Sequence, residues 1–184
     1  MDKKHVNLTA YDDVENLQRF DNTSFKKYCD AKLISCDKHI DFIKKNCIDG
    51  NNWKGRVLEV GSGNSKLLYR MEKDGFLDVG YGFEVSESRY IFAEKFKEYV
   101  KSKKVKNING NILDSVQMDR WTDGQMDLII AVDVVLQLIS PIYDQAENDL
   151  LSLVYKKLKP KGYFLLELWD FNNIINMIEL ANDN

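Results

Sequence analysis

The chain has 184 residues, enough for one domain with a substantial core and too few for two ordinary ones. Apolar residues make up 44% and charged residues 30%, a common globular mixture, and the net charge of −3 argues against non-specific nucleic-acid binding as the main activity. No apolar run approaches the roughly 20 residues of a membrane span, and Met1-Asp2-Lys3-Lys4-His5 opens no signal-peptide core, so a cytoplasmic protein without a membrane partner is expected.

In chain order, residues 1–23 are polar and irregular, with room for a short helix through Val14, Leu17 and Phe20. From Ser24 to about Cys47 the apolar positions Phe25, Tyr28, Leu33, Cys36, Ile40 and Ile43 follow a helical period, with Asn22, Thr23 and Ser24 as candidate caps. Cys29, Cys36 and Cys47 form no CxxC pair and are odd in number, which fits reduced thiols. Cys29 and Cys36 are seven apart and share a helix face, so packing is expected of them rather than chemistry. The turn Ile48-Asp49-Gly50-Asn51-Asn52 closes this N-terminal helical segment, residues 1–52; a second unit, residues 53–184, follows.

Arg56–Val60 reads as a buried strand that ends in Gly61-Ser62-Gly63. There, backbone angles and close approaches are open that a Cβ would block. Asn64 or Ser65 can then cap a helix over Lys66–Lys73, ended by Asp74-Gly75. A second strand runs over Val79–Glu84, interrupted by Gly80 and Gly82, and Ser86-Glu87-Ser88 opens a long helix to about Lys101. Short strands are expected at Val105–Ile108 and Met126–Val132. The latter is continuously apolar, as a central parallel strand covered on both faces should be. A helix over Tyr143–Leu158 is stopped by Lys159-Pro160-Lys161-Gly162, a fifth strand runs over Tyr163–Leu168, and a last helix over about Phe171–Leu180. Strands alternating with helices give a doubly wound α/β domain, with a mainly parallel sheet and helices on both faces.

In such a sheet the glycine turn at the carboxyl end of a strand is a ligand site. Two details narrow the ligand. Lys66 stands where a dinucleotide fingerprint has its third glycine, and Glu59 lies two residues before Gly61. A carboxylate aimed at the ligand repels a diphosphate and attracts a cation, by about 4 kcal/mol per pair of unit charges at about 4 Å and an effective dielectric of about 20. Glu84 ends the second strand 21 positions beyond Gly63, the spacing at which nucleotide-binding α/β domains place a ribose-binding acid.

Taken together, Val57-Leu58-Glu59-Val60-Gly61-Ser62-Gly63, Glu84, Asn109-Gly110-Asn111-Ile112, Asp127–Asp133 and Leu158-Lys159-Pro160-Lys161-Gly162 resemble the class I S-adenosylmethionine-dependent methyltransferases, over about residues 55–170. The resemblance implies a Rossmann-like fold with S-adenosylmethionine as cofactor. Glu59 and the backbone of Gly61, Ser62 and Gly63 would hold its methionine portion. Glu84 would take the ribose hydroxyls, and Val85 would pack on the adenine. Asn111, where the family usually has an Asp, would receive the adenine amino group beside Ile112, and Asp133 and Val134 would face the methionine moiety and the substrate. It also implies an N-terminal lid, with Tyr11, Arg19, Phe20, Phe25 and Tyr28 as candidate lid residues, although core packing is the better expectation for any one of them.

In-line methyl transfer draws mostly on orientation and proximity, and no metal is expected. Where many small-molecule members carry a Glu-His pair after the fourth strand, this chain has Leu136-Gln137. The acidic candidates near the site are Asp133, Glu167 and Asp170, of which Asp133 and Glu167 are the catalytic expectations; His39 is expected to be an exposed helix residue. The leading expectation is transfer to an oxygen or nitrogen of a small molecule. The alternatives are a protein (lysine) methyltransferase and a catalytically silent cofactor-binding or assembly module. The family's closing β-hairpin is missing after Leu168, so the edge of the fifth strand is expected to be covered by a second copy of the chain or by residues outside it.

Overall fold

The computed structural model describes residues 17–48, 50, 52–113, 122–132, 134, 146–167 and 175–179. A 3-10 turn at Leu17–Arg19 leads into two helices, α1 (Asn22–Ile34) and α2 (Asp37–Asn46), where one helix is expected. The break has a local cause: Ser35 Oγ turns back to donate to Lys32 O (2.7 Å), and Cys36 N–H bonds to Leu33 O (3.3 Å), only three residues back. The cap also differs from expectation. It is Asp21, whose side chain accepts from Thr23 N–H and Ser24 N–H at 2.9 and 2.7 Å.

The remaining elements are β1 (Gly55–Val60), α3 (Lys66–Lys73), β2 (Leu77–Glu84), α4 (Glu87–Val100), β3 (Val105–Asn109), β4 (Met126–Val132), α5 (Ala146–Lys157), β5 (Leu158–Glu167) and β6 (Ile175–Glu179). The sheet order is β3-β2-β1-β4-β5-β6, with the first five strands parallel and β6 antiparallel to β5. This is the expected Rossmann-like fold with one correction. Residues 175–179, expected within a helix, form a strand that pairs Ile175 with Glu167 and Glu179 with Tyr163, so the chain itself covers the edge of β5. The apolar residues of INMIE suit either period, and an open strand edge, which needs partners for its N–H and C=O groups, selects the extended form.

Side chains alternate across the sheet and divide the core in two. Val57, Leu128, Ile130 and Leu165 face α1–α4; Leu58, Val60, Ile129, Ala131 and Phe164 face α5 through Leu150 and Val154. Cys29, Cys36 and Cys47 are buried in the first half, as packing residues. Burial pushes the thiols of Cys36 and Cys47 up to about 11. Phe20, Phe25 and Tyr28 gather around Phe92 of α4 with ring centroids 5.6, 5.2 and 5.6 Å away, so the core-packing expectation holds for these three. Arg19 is exposed, and Tyr11 lies outside the described residues. Among the described residues no helix is long and apolar enough to cross a membrane.

Candidate cofactor site at the carboxyl rim

β1 delivers Glu59 to the rim and then turns sharply. Gly61 and Gly63 both have positive φ, +61° and +54°, where an L side chain is strained. The space around them is also taken. A Cβ on Gly61 would lie 2.4 Å from Val134 Cγ2, and one on Gly63 would lie 2.6 Å from Arg89 Nη2. Val134 therefore meets the glycine turn.

Glu84 anchors this turn to β2. Its Oε2 accepts from Gly63 N–H and its Oε1 from Ser86 N–H, both at 2.8 Å, and Arg89 Nη1 stands 3.9 Å from Oε2. A carboxylate offers about four acceptor positions, so two remain for ligand hydroxyls. Gly110 N–H and Asn109 Nδ2 both bond to Glu84 O, which brings the end of β3 to the same place. Beside it Ile112 is buried and Val85 is half-buried. Asn111 Oδ1 accepts from Leu113 N–H at 3.0 Å, an Asx turn that keeps one lone pair of this oxygen for another donor.

Under the turn runs a polar chain that sequence reasoning missed. Ser65 Oγ donates to Asn107 Oδ1 (2.8 Å) and lies 3.2 Å from Ser62 Oγ. Asn107 Nδ2 donates to Tyr69 OH and to Glu94 Oε1 (2.8 and 2.7 Å), and Tyr69 OH donates to Ala93 O (2.7 Å). Ser65 is thus not the side-chain cap of α3; Asn64 Oδ1 accepts from Lys66 N–H instead, at 3.2 Å. The chain crosses β2 at Gly82, where a Cβ would come within 2.7 Å of Ser62 Oγ and 2.8 Å of Ser65 Oγ. The interrupting glycine of the second strand was the only sequence signal for it.

Glu59 is the least satisfied group of the site. It is 6% exposed, and its Oε2 has no hydrogen-bond partner among the described residues. Burial pushes its carboxyl up to about 8, against a partial opposing pull from Lys66. A buried acceptor left unmade costs about 1–3 kcal/mol, so this atom is suited to a donor brought by a ligand, and best to a cationic one. A bound ammonium is such a donor, and the arrangement fits a cationic nucleoside cofactor laid from Glu59 toward Glu84 and Asn111.

A family model described as a methyltransferase domain matches residues 51–183. The chain belongs to this family. The class I resemblance carried by its motifs is borne out by that match and by the fold. Solved structures of similar fold include PH0226 protein from Pyrococcus horikoshii OT3, at 21% identity and a TM-score of 0.61 over 75% of this chain and 58% of that one. A SAM-dependent methyltransferase from Archaeoglobus fulgidus matches at 19% and 0.53, covering 76% and 52%. One from Thiobacillus denitrificans, in complex with S-adenosyl-L-homocysteine, matches at 20% and 0.51, covering 73% and 46%. The chain thus spans about half the length of these structures. A comparison with curated protein sequences returned no match.

Of the residues named from sequence, Glu59, Gly61, Ser62, Gly63, Glu84 and Val134 meet at the turn of this methyltransferase domain, with Val85, Asn111 and Ile112 beyond Glu84. Asp133, Leu136-Gln137 and Asp170 lie outside the described residues. Glu167 is at the carboxyl end of β5, level with Val132, and its partner is a surprise: His39 Nε2 of α2, 2.5 Å from Oε2.

Proposed function

We propose that the chain binds S-adenosylmethionine at the glycine turn and transfers its methyl group to an oxygen or nitrogen of a small-molecule acceptor. The observation that carries the cofactor half is the buried Glu59 Oε2 without a partner, beside a turn whose glycines have positive φ. Glu59 and the backbone of Gly61, Ser62 and Gly63 hold the methionine portion. Glu84 takes the ribose hydroxyls with its remaining lone pairs, and Val85, Asn111 and Ile112 receive the adenine. When bound, the cofactor supplies a methyl group on a sulfonium, and the chain's part is to orient that group in line with the acceptor and to exclude water. The relative crystallised with S-adenosyl-L-homocysteine supports the same assignment.

For the acceptor, Val134 borders the glycine turn, and Glu167 ends β5, the strand beside β4. Asp133 and Glu167 are the acids we assign to a group that must lose a proton. The net charge of −3 favours a small molecule over a nucleic acid.

The test begins with calorimetry of the full chain against S-adenosylmethionine, S-adenosylhomocysteine and NAD. Binding of the first two and not the third is expected, and a folded sample that binds neither of them would sink the cofactor assignment. A screen of cell metabolites for cofactor-dependent methyl incorporation then identifies the acceptor; methylation of a protein substrate and of no metabolite would overturn the small-molecule reading.

A further inference from the structure

We infer that His39 and Glu167 form the proton-accepting dyad of the acceptor site, so that the acceptor is a hydroxyl or protonated amine that must lose a proton for transfer to occur. The inference rests on the methyl-transfer reading above.

The two residues are 128 positions apart, and the fold brings them together at 2.5 Å. His39 is on the first turn of α2, and Glu167 is the last residue of β5. By strand alternation Glu167 follows Tyr163 and Leu165 on the sheet face that α2 covers, the face that also carries Glu59 and Glu84. The register Val132–Glu167 sets it at the carboxyl rim, two strands, or about 10 Å, across the sheet from β1. With the nucleoside running from Glu59 toward β2 and β3, the β4–β5 side of the turn is left for the acceptor. The side chains of His39 and Glu167 are 22% and 14% exposed, neither sealed in the core nor fully solvated.

The carboxylate decides which ring nitrogen is available. With Oε2 against Nε2, the neutral imidazole carries its proton on Nε2 and donates it to Glu167. Nδ1, which has no hydrogen-bond partner among the described residues, keeps its lone pair. In the transfer step the acceptor's O–H or N–H bond breaks and its proton forms a bond to Nδ1. The acceptor lone pair bonds to the methyl carbon while the C–S bond breaks, its electron pair passing to sulfur. The positive charge that disappears from sulfur reappears on the imidazolium, where Glu167 is already placed to balance it. His39 then returns the proton to solvent. This supplies by long-range pairing what Leu136-Gln137 cannot supply locally.

Two readouts test the dyad. With only His5 and His39 in the chain, nitrogen-15 NMR of the S-adenosylhomocysteine complex, with His39→Gln as the assignment control, reads the tautomer directly. A proton on Nε2 and a bare Nδ1 in the neutral ring are expected; the opposite tautomer overturns the dyad. Methyl incorporation from labelled S-adenosylmethionine into phenol, catechol and benzylamine gives the second. His39→Gln is expected to lower turnover by about 100- to 10,000-fold, and Glu167→Gln by less, with S-adenosylhomocysteine affinity and unfolding midpoint unchanged. Turnover by His39→Gln at the parent rate overturns the inference, as does a parent chain that binds S-adenosylhomocysteine and methylates none of the three. A parent that does not bind S-adenosylhomocysteine overturns the cofactor assignment instead, which keeps the two failures apart.

Discussion

Gly63 and Glu84, 21 positions apart in sequence, are joined by a 2.8 Å hydrogen bond from the glycine N–H to the carboxylate. The acid at the end of β2 therefore has a task in the protein alone: it holds the glycine turn against the next strand. Ser86 N–H, at the start of α4, shares the same carboxylate.

Glu84→Ala is expected to act twice. It strands two backbone N–H groups, for a stability loss of about 1–3 kcal/mol in urea unfolding. It should also weaken S-adenosylhomocysteine binding by a similar amount, read by calorimetry. Glu84→Gln keeps one acceptor oxygen and should recover part of the stability but little of the affinity. Equal affinity for all three chains would reject a ribose role for Glu84.

The periodic elements were legible because their signals are local. β4 and α3 have the ranges read from the sequence, since a continuous apolar run and the Asp74-Gly75 stop leave few alternatives. The glycine turn and its two acids were legible for the same reason. What the sequence concealed depends on partners far along the chain. Residues 175–179 take the strand form because β5 offers an open edge, and His39 stops being an ordinary helix residue because β5 ends beside it. The Asn107 chain under the turn joins β3 to α3 and α4, and no spacing rule announces it.

Gly82→Ala tests that buried chain. Its Cβ would crowd Ser62 Oγ and Ser65 Oγ, and both hydroxyls would have to leave their places. A cost of about 1–3 kcal/mol is expected, typical of overpacking. Because Ser62 and Ser65 belong to the turn at which we propose the cofactor binds, S-adenosylhomocysteine affinity should fall as well. A stable variant with parental affinity would show that the turn does not depend on this crossing.

Phe92→Ala tests how the N-terminal helices are joined to the sheet. Phe92 is fully buried and meets Phe20, Phe25 and Tyr28. Its loss should cost about 3–5 kcal/mol. Since α1 and α2 share one core with β1 and α3, unfolding should stay a single transition in both chains. A separate early transition, seen by circular dichroism and absent from the parent, would instead mark residues 1–52 as an independent unit.

Glu59 makes the sharpest pH prediction. Its carboxyl is raised from 4.5 to about 8 by burial. Below pH 4.5 it is protonated both folded and unfolded, and contributes no pH dependence. Between 4.5 and about 8 the unfolded chain has lost the proton and the native chain keeps it, so stability falls as pH rises. Above about 8 the cost of ionising it in place, about 5 kcal/mol, is fully present. Glu59→Gln should flatten this slope and be more stable than the parent at alkaline pH. Binding reverses the preference, because a ligand ammonium against Glu59 favours the carboxylate. Near neutral pH, calorimetry of S-adenosylhomocysteine binding in buffers of different ionisation enthalpy should therefore register release of close to one proton. Glu59→Gln should bind more weakly and release none. Proton release that persists unchanged in Glu59→Gln would place the titrating group elsewhere and remove Glu59 from the methionine subsite.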